Sequence, residues 1–189
     1  MRILAGQWKG QLLKCPRTIR ATSDKVRAAL FNILGETIRG ARVLEVCAGS
    51  GAVGLEACSR GAQAVTWIES QPVCVRVLRA NLERLIPAWS RQPHFHLLPY
   101  EAVPALKRLA RDRAVFDLIF LDPPYRDISL LKRVLHTLEA SAILVSTGWV
   151  VVEHHQATEF PQLLGQLEVS TSYRYGDTRL TCLRPRTRE

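Results

Sequence analysis

The stretch best equipped for chemistry is Asp122-Pro123-Pro124-Tyr125. Each proline holds φ near about −65° and has no N–H to give away. A carboxylate, a stiffened turn and an aromatic ring together make a compact pocket for a planar group carrying an NH2. The Asp122 carboxylate and the Pro123 carbonyl supply two acceptors for such a group. The same residues are also ordinary turn residues, so the surroundings decide which reading holds.

Upstream lie Ala48, Gly49, Ser50, Gly51 and Gly54, a G-x-G-x-x-G pattern between a strand-like run and a helix-like one. That arrangement brings backbone close to a nucleotide, and by itself it fits NAD and S-adenosylmethionine equally. Glu45 precedes the glycines and would repel a pyrophosphate, but not a ligand bearing an ammonium and a sulfonium. Alternatively, Glu45 is a partly buried acid paired with Arg42. Glu69 stands 18 residues after Gly51, where an acid can accept hydrogen bonds from ribose hydroxyls. Glu101 follows a third strand on the same edge, which completes an acidic rim suited to a cationic ligand. Asp122 to Tyr125 offers no hydride chemistry. S-adenosylmethionine is therefore the expected cofactor.

These residues need strands to carry them. Phe116 to Leu121 (FDLIFL) is a nearly continuous apolar run, as in a strand buried on both faces of a parallel sheet. Arg42–Cys47, Ala64–Ile68, His94–Leu98 and Gly148–Val152 read as four further strands. Helices are expected from Asp24 to about Leu34, up to about Arg60, from Pro72, up to about Arg111, and from Ser129 to about Leu138. Thr22 or Ser23 caps the first. Its apolar stripe is Val26, Leu30, Ile33 and Leu34, with Lys25 and Arg27 off it. Leu167–Tyr173 and Thr178–Leu183 flank a turn at Tyr175-Gly176-Asp177. The expected fold is α/β: a Rossmann-like, doubly wound, mostly parallel sheet with an antiparallel C-terminal edge hairpin. Residues 1–189 read as a single domain, with a basic N-terminal extension and helix (1–35) ahead of a core from residue 40. Trp8 is expected to cover apolar surface.

With 47% hydrophobic and 23% charged residues, the composition is that of a globular domain. No apolar run reaches the roughly 20 residues of a membrane span, and no secretion signal is seen at the start. Five scattered cysteines without a C-x-x-C suggest reduced thiols in a cytoplasmic protein. Neither they nor the five histidines show metal-ligand spacing, so no metal is expected; His154-His155 reads as ordinary surface. The net charge of +9 implies attraction to a polyanion, nucleic acid above all. Residues 1–35 hold seven bases (Arg2, Lys9, Lys14, Arg17, Arg20, Lys25, Arg27) against one acid, Asp24. A second cluster, Arg174, Arg179, Arg184, Arg186 and Arg188, closes the chain.

The segments 2–34, 45–62, 68–70, 116–125 and 175–181 together resemble the RsmD family, 16S ribosomal RNA guanine-N2 methyltransferases of the class I Rossmann type. The resemblance implies a methyl transfer from S-adenosylmethionine, leaving S-adenosylhomocysteine, to the exocyclic amine of a guanine. It places Glu45, Ala48, Gly49, Ser50 and Gly51 on the methionine side, Glu69 and Ser70 at the ribose, and Glu101 and Ala102 at the adenine, with Asp122 also at the cofactor. Asp122, Pro123 and Tyr125 would act on the target base, with Tyr125 stacked on it. Lys9, Arg20, Lys25, Arg27 and Arg126 would meet RNA phosphates. The implied partner is ribosomal RNA in an assembling small subunit; apart from the resemblance, a monomer is expected. The family usually has Pro at position 21, where this chain has Ala, and Asp where Glu45 and Glu101 stand. Rival readings are a DNA adenine-N6 or protein glutamine methyltransferase, an NAD-dependent oxidoreductase and a non-catalytic RNA-binding protein.

Overall fold

The computed structural model describes residues 1–16, 22–161 and 163–186. Arg17, Arg20, Ala21 and Arg188 lie outside the described residues. In chain order the elements begin with α1 (Asp24–Leu34), β1 (Arg42–Val46), α2 (Ala52–Ser59), β2 (Ala64–Ile68) and α3 (Pro72–Leu85). Then come β3 (Phe95–Leu98), α4 (Ala102–Arg111), β4 (Phe116–Leu121), α5 (Ile128–Glu139) and β5 (Leu144–His155). Three strands finish the fold: β6 (Leu163–Leu164), β7 (Leu167–Tyr175) and β8 (Thr178–Pro185).

All eight strands join one sheet in the order β3-β2-β1-β4-β5-β8-β7-β6. The first five pair in parallel. The rest are antiparallel, with β8 inserted between β5 and β7. This is the expected Rossmann-like sheet with an antiparallel edge, except that the last strand returns inward and pairs with β5.

Successive side chains of a strand face opposite ways, and both faces are covered. Val43, Val65, Trp67, Leu118 and Phe120 enter one core with α1, α2 and α3. Leu44, Ile68, Ile119 and Leu121 enter the other with α4 and α5. Such two-sided burial is why the parallel strands read as unbroken apolar runs.

Three elements differ from the sequence expectation. β5 is longer than Gly148–Val152, because its polar start still pairs with β4 through an irregularity between Phe116 and Leu118. β6 has two residues, too few to carry a period. On α1 the buried set is Val26, Arg27, Leu30, Phe31 and Leu34, so the inward stripe includes an arginine.

The N-terminal segment is an irregular strap with one antiparallel bridge, Arg2 to Leu12. Buried side chains of α2 hold it. Glu56 accepts from the backbone N of Leu4 at 2.7 Å and of Ala5 at 2.9 Å. Ser59 Oγ donates to Ala5 O and accepts from Trp8 N at 2.9 Å. Gly6 (φ 82°) presses so closely that a Cβ would lie 1.8 Å from Ser59 O. Trp8 is half-buried against the core, in the covering role expected.

Candidate active site

The carboxyl ends of β1, β2, β3 and β4 open onto a cleft of about 990 Å³, where open α/β sheets hold ligands. The loop after β1 contributes Ala48, Gly49 and Ser50; Glu69 and Ser70 follow β2. Glu101 and Ala102 start α4. Asp122, Pro123, Pro124, Tyr125 and Arg126 follow β4 and complete the walls. Four separate loops thus converge at one place.

The glycines are not equivalent. Gly49 (φ 56°) donates its N–H to Glu69 Oε2 at 2.7 Å. Gly51 (φ 75°) is the N-cap of α2 and donates to Ala48 O at 2.7 Å. A Cβ there would lie 2.1 Å from Leu78 Cδ1, and one at Gly54 would lie 2.3 Å from Trp67 Nε1. Gly51, expected at the cofactor, therefore turns the chain and faces the core; it is not among the residues bordering the cleft.

Glu45 borders the cleft, but its carboxylate is engaged by α2. Its carboxylate is 3% exposed and accepts from Val53 N at 3.2 Å and Gly54 N at 2.8 Å. Burial pushes its pKa up to about 8, against those two N–H groups and the nearby Arg27 charge, which pull it down. Glu45 thus caps the first turn of α2 and adds little negative charge to the rim. Arg42, weighed as its partner, instead binds Asp117, through Nε at 2.9 Å and Nη2 at 3.0 Å. That pairing holds the Asp117 carboxyl below its ordinary range.

Glu69, Glu101 and Asp122 bring carboxylates to the cleft from three strand ends, and Asp127, Glu153, Arg126 and Arg133 border it as well. Glu69 is buried and uses one oxygen for Gly49 N and the other for Gln71 N at 2.8 Å, tying the glycine loop to the loop after β2. Glu101 is exposed at the start of α4. Burial together with Glu69, Asp122 and Asp127 pushes the cleft-lining Cys47 thiol up to about 12. Its sulfur is a neutral wall and not a nucleophile.

At the end of β4, Asp122 N continues the ladder to Val46 O at 3.3 Å. Its Oδ2 accepts from the hydroxyl of Thr22 at 3.0 Å. Of the two cap candidates, Ser23 caps α1 by accepting from Val26 N, which leaves Thr22 for Asp122. The Pro124 carbonyl accepts from Asp127 N at 2.8 Å. No hydrogen bond from the described residues reaches the Pro123 carbonyl. Tyr125 is half-buried; its hydroxyl donates to Glu153 Oε1 at 2.9 Å and lies 2.8 Å from Thr178 Oγ1. His155 meets its ring edge-on at 5.9 Å.

Lys9 and Lys25 are exposed, and Arg126 is exposed at the cleft. Arg27 is not available to a phosphate. It is fully buried, with Nη2 on the Arg2 carbonyl and on Asp24 at 3.0 Å, and Nε 3.7 Å from Glu56. His154, read as surface, is 2% exposed and sits between Thr181 Oγ1 at 2.8 Å and Phe160, stacked at 5.0 Å. No group of three metal-type ligands occurs among the described residues. No helix there is long and apolar enough to cross a membrane.

Two residues were missed from sequence. Arg133 borders the cleft from α5; its place off the stripe Leu131, Val134, Leu135 and Leu138 was the only signal. Asn81 is fully buried within the helical pattern of α3. Its Nδ2 donates to Ser50 O at 3.0 Å and Lys14 O at 2.9 Å, and its Oδ1 accepts from Lys14 N at 2.9 Å. A buried Asn in an otherwise apolar stripe is a signal for such a clip.

This sheet, with its glycine loop and strand-end acids, defines a Rossmann-like fold of the class I methyltransferase type. The chain superposes on a solved structure titled "Putative methyltransferase yhhF from Escherichia coli" with a TM-score of 0.85, 30% identity, and coverage of 98% of this chain and 97% of that one. It is 33% identical over 180 residues to "Putative rRNA methyltransferase YlbH" of Bacillus subtilis, covering 94% of this chain and 95% of that protein. It is 34% identical over 163 residues to "Ribosomal RNA small subunit methyltransferase D" of Escherichia coli, covering 85% and 78%. The family model described as "Conserved hypothetical protein 95" matches residues 1–184. The chain belongs to that family, the RsmD family.

Proposed function

We propose that this chain is an S-adenosylmethionine-dependent methyltransferase, a single domain that methylates the exocyclic N2 amine of a guanine in 16S ribosomal RNA. The supporting observation is the convergence of the Asp122 carboxylate and Pro123 with the glycine loop and Glu69 in one cleft. The relatives' names supply ribosomal RNA as the substrate class. The surplus of basic residues suits a polyanion.

The residues fit the cofactor. Glycine backbone at Gly49 permits close approach, while Glu69 and Glu101 offer carboxylates to hydroxyl, amino and cationic groups. The cofactor, when bound, supplies an electrophilic methyl on a positively charged sulfur.

The chain's own part is to make a poor nucleophile competent. The lone pair of a guanine amine is delocalised into the ring. Hydrogen bonds from its two N–H groups to the Asp122 carboxylate and the Pro123 carbonyl draw that pair out of conjugation. Asp122 is steadied by Thr22. Tyr125, held by Glu153 and Thr178, supplies a flat surface for the base. Positioning of this kind is worth up to ~7–11 kcal/mol in well-oriented reactions. A base stacked in a duplex cannot reach the cleft, so the target is single-stranded or flipped out.

The protein acts as a monomer on an assembling small subunit in the cytoplasm. The test is transfer of tritiated methyl to ribosomal RNA of unmethylated 30S particles, with mapping of the product nucleoside. N2-methylguanine supports the proposal. Label in N6-methyladenine of DNA, or in protein, overturns it.

A further inference from the structure

Arg174 of β7 and Arg179 of β8 are direct cross-strand partners, and His154 of β5 partners Arg179 on its other side. Residues so opposed share a sheet face with Cβ atoms about 4.5–5.5 Å apart, and like charges there are destabilising. Among the described residues neither arginine forms an ion pair with a carboxylate. Arg174 Nε donates to Gly176 O at 3.1 Å, whereas the buried Nε of Arg179 has no protein acceptor. Both ring nitrogens of His154 are engaged, by Thr181 and the His155 carbonyl, and burial lowers its pKa.

A small cavity of about 270 Å³ opens beside Arg179, bordered also by Ser172, Thr158 and Gln156. Arg174 does not border this cavity but stands opposite Arg179 across the strand pair; a guanidinium beside hydroxyl and amide side chains, with a second one a strand away, is suited to an anion with several oxygens. Glu159 borders the same cavity but makes no ion pair with Arg179. The position relative to the cleft is informative. The hydroxyl of Thr178, next in chain to Arg179, lies 2.8 Å from the Tyr125 hydroxyl. The turn at Gly176-Asp177 therefore stands beside the cleft wall, and strand alternation puts Arg179 on the opposite face of the sheet from Thr178, one turn away from the cleft.

We propose that Arg174 and Arg179 form a phosphodiester subsite for the RNA strand that carries the target base. The strand would leave the cleft past Tyr125, cross the β7–β8 turn and set a phosphate against the two guanidinium groups. The site lies on an element distant in sequence from the basic N-terminal segment. It relieves a repulsion that the protein itself leaves uncompensated. The inference rests on the methyltransferase reading above.

The experiment is fluorescence anisotropy with a labelled fragment of unmodified small-subunit ribosomal RNA, across a salt series, for wild type and Arg174→Gln/Arg179→Gln. The expected result is RNA binding about tenfold weaker, with the slope of log K against log salt reduced by about 1–2. Affinity for S-adenosylmethionine, measured by calorimetry, stays at the wild-type value and reports the fold. Arg174→Ala alone, at an exposed position, should lose about 1 from the slope even if the double variant does not fold. Unchanged RNA affinity and slope in a cofactor-binding variant overturn the subsite. So does a loss of binding seen with a glutamate-rich peptide but not with RNA, which would assign the arginines to a protein partner. Failure of the wild type to methylate ribosomal RNA would instead remove the enzymatic reading and leave the affinity comparison intact.

Discussion

The hydroxyl of Thr22 donates to Oδ2 of Asp122 across 3.0 Å, joining the entry of the N-terminal helix to the end of β4. Thr22 is 8% exposed, so this hydrogen bond is largely shielded from water. Thr22→Val keeps the shape and removes the donor. A hydrogen bond to a charged group is worth ~1.5–3 kcal/mol, and part of that holds the carboxylate in place for the amine. We expect kcat to fall about 5- to 30-fold with the affinity for S-adenosylmethionine unchanged; steady-state kinetics together with calorimetry check both.

Asn81 clips the strap to the glycine loop, because one amide serves both Lys14 and Ser50. Asn81→Ala leaves buried backbone groups without partners, each costing ~1–3 kcal/mol. Urea denaturation should show a loss of about 2–4 kcal/mol. S-adenosylmethionine should also bind more weakly, because Ser50 loses its anchor. Asn81→Asp keeps the acceptor for Lys14 N, loses the donor to Ser50 O, and should not restore cofactor affinity.

Arg27 and Lys25 separate burial from binding. Arg27→Ala removes the donor to the Arg2 carbonyl and one of two cations beside Glu56, which keeps Arg60 at 2.8 Å, so it should cost about 1–3 kcal/mol. Lys25 is exposed, so Lys25→Glu should leave stability within about 0.5 kcal/mol. It should weaken RNA binding and flatten its salt dependence. Denaturation and anisotropy on the two variants should therefore give opposite patterns.

Glu45 makes stability depend on pH. Its folded pKa of about 8 lies above the ordinary carboxyl value of 4.5. Between these values the folded state holds a proton that the unfolded chain has released. Its contribution is thus complete below about 4.5 and is lost as pH rises through about 8. Glu45→Gln cannot titrate. Urea midpoints for wild type and variant at pH 5, 6.5 and 8 should show the variant gaining relative stability as pH rises.

The parallel strands were legible because two covered faces demand apolar residues at every position, as in Phe116 to Leu121. Glu69, Glu101 and Asp122 were legible as cleft residues because each ends or follows a strand at one edge. Residue type could not tell how a side chain would turn. Glu45 sits where a ligand-facing acid would, yet α2 begins within its reach and takes its oxygens. Arg27 looked solvent-facing because its partners Glu56 and the Arg2 carbonyl are remote in sequence. Thr22 and Ser23 were equivalent as cap candidates until the position of β4 separated them. Asn81 was hidden inside a helical period that it satisfies.

Asp122 carries the central claim, that a strand-end carboxylate activates the target amine beside the bound methyl carrier. The direct measurement is single-turnover methyl transfer to unmethylated 30S particles by Asp122→Ala at saturating S-adenosylmethionine. Cofactor affinity should be preserved and the rate should fall at least ~100-fold, as for a contact made in the transition state. A rate close to wild type in that variant would contradict the account.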